Sequence, residues 1–194
     1  MSFYSASPDP TVNRQIETTG YAAAALTLLP LPGTEIIGVV PLHVAMVIGV
    51  ANHYGRSLDE ETATELLMEI GATVGLSLVG SRLAMTTAKF VLPGLGGLVA
   101  APFMFASTVG LGAVADAWFR QGALSEAEMK NIYNQTRRSA KKGFQPEKAK
   151  KAAQQEEGSS DPVERLKRAR DLLQRGLISQ AEFDALKRDV LAAI

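Results

Sequence analysis

Residues 90–118 read FVLPGLGGLVAAPFMFASTVGLGAVADAW, and from residue 90 to residue 115 no position carries a charge. These twenty-six uncharged positions exceed the roughly 20 that a helix needs to cross a hydrocarbon core about 30 Å thick. Two prolines and five glycines interrupt the run. It therefore reads in three ways: as a membrane span, as the buried centre of a helical bundle, or as a glycine-rich loop that holds a ligand.

The surrounding 194 residues narrow the choice. They are 46% hydrophobic but only 6% aromatic, with the excess in Ala, Leu, Val and Gly, a mixture that favours close-packed helices over strands. Absence of cysteine excludes disulfides, thiolate metal sites and cysteine nucleophiles. The first residues lack a basic stretch followed by an apolar run, so no cleaved secretory signal is expected. A net charge of zero hides segregation. Residues 1–120 carry five Lys/Arg against nine Asp/Glu, and residues 121–194 carry fifteen against eleven.

Sliding the front half on itself by 61 residues places Leu31, Pro32 and Gly33 on Leu92, Pro93 and Gly94, Pro41 on Pro102, Ala45 on Ala106 and Gly49 on Gly110. Most of these identities set backbone geometry, so the two segments are expected to share a path rather than a chemistry. Each copy reads as an apolar helix, a Leu-Pro-Gly break, a second apolar segment interrupted by a proline, and a polar restart. The segments run over 20–29 and 34–54, then over 62–90 and 95–119. Gly71 and Gly75 stand at the spacing that lets helices approach closely, the usual packing device within lipid. Pro32, Gly33, Gly71, Gly75, Pro93, Gly94, Gly96, Pro102 and Gly110 are thus the expected membrane or packing positions.

Residues 137–151 read RRSAKKGFQPEKAKK, seven basic residues with one acid. Arg137, Arg138, Lys141, Lys142, Lys148, Lys150 and Lys151 are candidates for contact with anionic headgroups or an acidic partner. The next residues, AAQQEEGSSD, have the composition of a flexible linker. The last segment reads DPVERLKRARDLLQRGLISQAEFDALKRDVLAAI. Val163, Leu166, Ala169, Leu172 and Leu173 form one apolar face, and Phe183, Leu186 and Val190 another. Gly122, Ser125 and Glu128 repeat as Gly176, Ser179 and Glu182, a glycine stop followed by a capping box, so each set predicts a helix-turn-helix joint. A hairpin this small buries too little surface to stand alone. The division is therefore a tail at 1–19, an apolar helical domain at 20–136, a basic linker at 137–160 and a helical hairpin at 161–194. The fold class is all-α.

Two resemblances follow. Leu166, Leu172, Gly176, Ile178, Ser179, Glu182, Phe183, Lys187 and Leu191 carry the pattern of a SHOCT domain, which implies oligomerisation or protein docking through Leu166, Leu172, Gly176, Ile178, Ser179, Glu182, Phe183 and Leu186. Residues 20–119, through Pro32-Gly33, Tyr54-Gly55, the small-residue helix from Gly71, Pro93-Gly94 and Trp118-Phe119, resemble a bacterial domain of unknown function. That domain is found appended to Era-like GTPases and in YcjF-type membrane proteins. Prolines at 41 and 102 depart from the uninterrupted helices of that domain, and no GTPase domain accompanies it here.

No constellation for chemistry is expected. There is no phosphate loop, and the glycines at 94, 96 and 97 follow a helix pattern rather than a strand. His43 and His53 lie ten residues apart, too far along one helix to share a metal. His43 reads as a packed or hydrogen-bonded core residue. Glu61, Glu65 and Glu69 form an i, i+4 row that reads as a solvated face. The expected function is a non-enzymatic, membrane-associated scaffold or adaptor with no cofactor and no nucleic acid. It would sit at the cytoplasmic face of a bacterial inner membrane and self-assemble or recruit a partner through residues 161–194. The alternatives are a soluble helical interaction protein, partner to a separate GTPase, and a carrier enclosing a lipid-like ligand between the repeats.

Overall fold

In a computed structural model of the chain, residues 4–29, 34–75, 96–156, 162–174 and 178–192 are described. They form α1 (Pro10–Leu28), α2 (Thr34–His53), α3 (Glu60–Thr73), α4 (Gly96–Gln121), α5 (Glu126–Gly143), α6 (Pro146–Glu156), α7 (Pro162–Gln174) and α8 (Gln180–Ala192). The described residues contain no strand, and the class is all-α, with a small helical hairpin, α7–α8, at the C-terminal end.

α4 runs through the apolar stretch, and α1, α2, α3, α5 and α6 all pack against it. Ala101, Phe105, Ala106, Val109, Leu111, Ala113, Val114, Ala115 and Ala117 are buried along its length. A helix buried on so many sides needs no polar face, which is why its sequence lacks one. Small residues set how close its neighbours come. A Cβ at Gly110 would lie 2.7 Å from the Tyr133 ring of α5, and one at Gly112 would lie 2.6 Å from Ile16 of α1.

Pro41 and Pro102 do not interrupt their helices. α2 and α4 run through them, giving up one backbone hydrogen bond at each. Beyond these prolines the matched positions part company: Ala45 is exposed while Ala106 is buried, and Gly49 faces Gln15 while Gly110 faces Tyr133. The breaks at Pro32-Gly33 and Pro93-Gly94 lie outside the described residues.

Three expected boundaries are corrected. Within the expected tail at 1–19, the residues from Pro10 onward are helix, because α1 begins there. The Asp9 carboxylate accepts the backbone N–H groups of Thr11 and Val12, and Val12 and Ile16 are fully buried. Tyr4 and Ala6 join the same core. The helix expected over 62–90 ends at Thr73, and Gly75 follows at φ +78°, with no atom of the described residues within 4 Å of a would-be Cβ. Gly71 is buried in α3, and the positive φ of Gly75 makes it the glycine that stops the helix.

The basic linker, too, is mostly helix. α5 extends to Gly143 and α6 covers 146–156. Between them Phe144 sits 6.0 Å from the Tyr21 ring and 5.3 Å from the Phe105 ring, and the Gln145 N–H donates to the Tyr21 hydroxyl at 3.2 Å. These aromatic contacts turn the chain so that Ala149 and Ala153 of α6 are buried. The joint after α4 forms as expected, with Gly122 at φ +93° and a complete Ser125–Glu128 capping box.

The close approaches along α4 make a prediction. Gly112→Ala forces a methyl against the stem of Ile16 and should lower stability by about 1–3 kcal/mol. Gly49→Ala meets only the movable amide end of Gln15 and should be close to neutral. Urea unfolding of both variants checks the pair; equal losses would contradict this packing.

Candidate docking surfaces and buried polar contacts

Two polar contacts lie inside the helical core. His43 of α2 and Thr108 of α4 are buried, with His43 Nε2 2.8 Å from Thr108 Oγ1. Burial pulls the imidazole down to about 4, so the ring is neutral and shares one hydrogen bond with the hydroxyl. At the other end of α4, Asp116 is 1% exposed. Its carboxylate accepts hydrogen bonds from Ser7 Oγ at 2.8 Å and Tyr54 Oη at 2.7 Å, and Arg120 Nε lies 3.5 Å from its second oxygen. Ser7 Oγ also accepts the Asp9 N–H at 3.0 Å, and His53 lies 3.1 Å from the Asp9 carboxylate. The Val12 N–H, aided by that of Thr11 and by His53, holds Asp9 below the usual carboxylate range. The N-terminal segment, the end of α2 and the end of α4 are thus fastened at one carboxylate. Asp116 is the sole charge in the quoted stretch, and it was not singled out from the sequence.

The basic residues divide into two groups. Lys148 Nζ pairs with Glu17 of α1 at 3.0 Å, the main cause of its raised pKa, and Lys150 pairs with Glu147 at 3.1 Å. Lys151 is exposed on α6. Arg137, Arg138, Lys141 and Lys142 occupy the last two turns of α5. Arg137 lies over the Tyr133 ring at 5.5 Å, and Lys141 Nζ lies 3.6 Å from the ring centre of Phe103 on α4. Phe103 is 46% exposed and Val99, one turn earlier, 61%. The segment from Val99 to Gln121 is long and apolar enough to cross a membrane, with a mean hydropathy of 1.4, but 67% of its most apolar window is buried within the protein. Pro102 is half-buried, and Gly96 begins α4. Glu61, Glu65 and Glu69 are exposed on α3.

In the terminal hairpin, Ala169 and Leu172 of α7 face Ile178 and Leu186, and all four join the main core. Val190 is also buried, while Leu166, Leu173 and Phe183 are half-buried. α7 packs against α2 as well as α8, so the hairpin docks on its own chain. Ser179 precedes α8, and its carbonyl accepts the Phe183 N–H at 3.0 Å. Gly176 and the Glu182 side chain lie outside the described residues. Val163, assigned by periodicity to the apolar face, is 55% exposed instead, and Leu191 is 54% exposed. Both stand at the hairpin's open end, away from the hinge, where nothing in the 3.6-residue period marks them as outward.

A cleft of about 770 Å³ lies between the two units, lined by Val40, Val44 and Ile48 of α2 and by Lys167, Arg168 and Asp171 of α7. Among the described residues, no cluster of three His, Asp or Glu is placed to hold a metal ion.

These features define an all-helical protein with a small C-terminal helical hairpin. Residues 164–191 match the SHOCT family, the short C-terminal domain, and the chain carries that domain at its C-terminal end. No curated protein and no solved structure matches the chain. The match does not extend to residues 20–119.

The buried imidazole gives a pH prediction. Its folded pKa is about 4 against about 6.5 when unfolded, so the unfolded chain binds the extra proton between these values. The His43 contribution is complete above pH 6.5 and is lost as pH falls towards 4, by up to about 3 kcal/mol. His43→Gln should flatten the pH dependence of the urea midpoint over this window; an unchanged slope would contradict a neutral buried ring.

Proposed function

We propose that this protein is a non-enzymatic, membrane-associated scaffold that assembles, or recruits a partner, through its SHOCT hairpin. The observation that carries this reading is the hairpin's division of its apolar residues. Leu172, Ile178, Leu186 and Val190 are buried, while Val163 and Leu191, near the open end, are each more than half exposed. Large apolar side chains exposed near one end of a small hairpin suit a protein contact there. The coupled polar groups, by contrast, are buried between helices and fasten them together.

Membrane association is supported by the apolar, positively bordered edge at Phe103 and Lys141. The extent of α4's burial favours contact at the surface of a membrane over a span, with the cytoplasmic face of a bacterial inner membrane as the proposed location. The same burial also favours a second reading, a soluble helical interaction protein, for which a separate GTPase is the partner class that the sequence resemblance points to.

Light scattering of the full chain tests assembly. The scaffold reading expects an oligomer that Val163→Asp with Leu191→Asp reduces to a monomer while helical circular dichroism stays the same. A wild-type chain that is already monomeric, or a double variant that keeps its mass, would contradict assembly through the hairpin.

A further inference from the structure

We propose that the edge where the first turns of α4 meet the last turns of α5 is a shallow docking face for an anionic lipid surface. In it Val99 and Phe103 are the apolar inserts, and Arg137, Arg138, Lys141 and Lys142 are the headgroup contacts. This rests on the membrane association proposed above and gives it a face and a lipid class.

Val99 and Phe103 are one helical turn apart, so they share a stripe on α4, and both are close to or beyond half exposed. Lys141 lies directly over the Phe103 ring, which brings the α5 cations to the border of that stripe. Arg137 stands one turn before Lys141 on the same side of α5, and Arg138 and Lys142 form the adjacent stripe by the same spacing. The result is an apolar strip with a cationic strip beside it.

The charge is unbalanced in one direction. Residues 129–146 contain Lys130, Arg137, Arg138, Lys141 and Lys142 and no carboxylate. Lys130 is paired with Glu126, whereas the other four make no ion pair among the described residues. On α4 the one carboxylate, Asp116, is buried and hydrogen-bonded elsewhere. Glu147, the first acid after the run, is paired with Lys150. A solvated surface usually intersperses both signs. Four cations bordering two exposed apolar side chains instead match the interfacial arrangement, in which apolar groups enter the headgroup–acyl boundary and cations stay among phosphates. A polynucleotide would satisfy the charges but has less use for Val99, since an aliphatic side chain offers no ring on which a base can stack.

The test is co-sedimentation of the full-length chain with vesicles of phosphatidylcholine plus phosphatidylglycerol, and with vesicles of phosphatidylcholine alone. Binding is expected on the anionic vesicles and should weaken with added salt. Arg137→Gln with Lys141→Gln should lower partition about 25-fold, roughly fivefold per charge. Phe103→Ala should lower it roughly fivefold. Met68→Ala, which removes a side chain equally exposed on α3, should leave binding unchanged. Anionic-vesicle binding that survives both the charge and the Phe103 substitutions would overturn this face while leaving membrane association standing. A wild-type chain that ignores both vesicles would overturn the two together. Binding to duplex DNA that is lost in the charge variant, without vesicle binding, would overturn the lipid assignment in favour of a nucleic acid.

Discussion

α4 has to be hidden, and the arrangement of the other helices follows from that constraint. A helix with no charge before Asp116 has no side to offer to water, so α1, α2, α3, α5 and α6 enclose it. Enclosure by so many neighbours requires close approach, which Gly110 and Gly112 permit against Tyr133 and Ile16. It also requires that the polar groups carried inward be satisfied. Thr108 meets His43, and Asp116 draws in Ser7 and Tyr54, so the inward polar groups tie α4 to the elements on either side of it.

Hydropathy alone cannot separate this solution from a membrane span, because lipid and a protein interior reward the same side chains. What separates them is the company of the helix. The clues were present in short polar signals rather than in the apolar run. Asp9-Pro10 is the same cap-and-first-turn pair as Asp161-Pro162, and it starts a helix ten residues earlier than apolar periodicity alone placed one. Phe144, a lone aromatic between two basic runs, pins the α5–α6 corner to Tyr21 and Phe105, which turns an apparently solvated linker into a packed helix. Composition marks such a segment as polar, but it does not reveal one packed, half-buried ring and two buried alanines.

The terminal hairpin was more legible, because its glycine stop, its serine and its apolar period all lie within one short segment. The inward placement of Ala169, Leu172, Leu186 and Val190 agrees with that period. Val163, placed on the apolar face by that period, is exposed instead. The basic run was likewise legible as charge but not as geometry. Lys148 and Lys150 are taken up by carboxylates, and only the α5 members border exposed apolar groups. Which cations are spent internally depends on Glu17, 131 residues away in sequence, and no local pattern encodes that distance.

The central claim, that α4 is enclosed by protein and meets a membrane only at its exposed edge, is tested most directly by hydrogen exchange of the full chain in aqueous buffer without lipid or detergent. The account predicts that amides from residue 101 to residue 117 are among the slowest to exchange, at rates set by global unfolding, and that adding anionic vesicles leaves them unchanged. Rapid exchange across α4 in buffer, slowed only when vesicles are added, would contradict it.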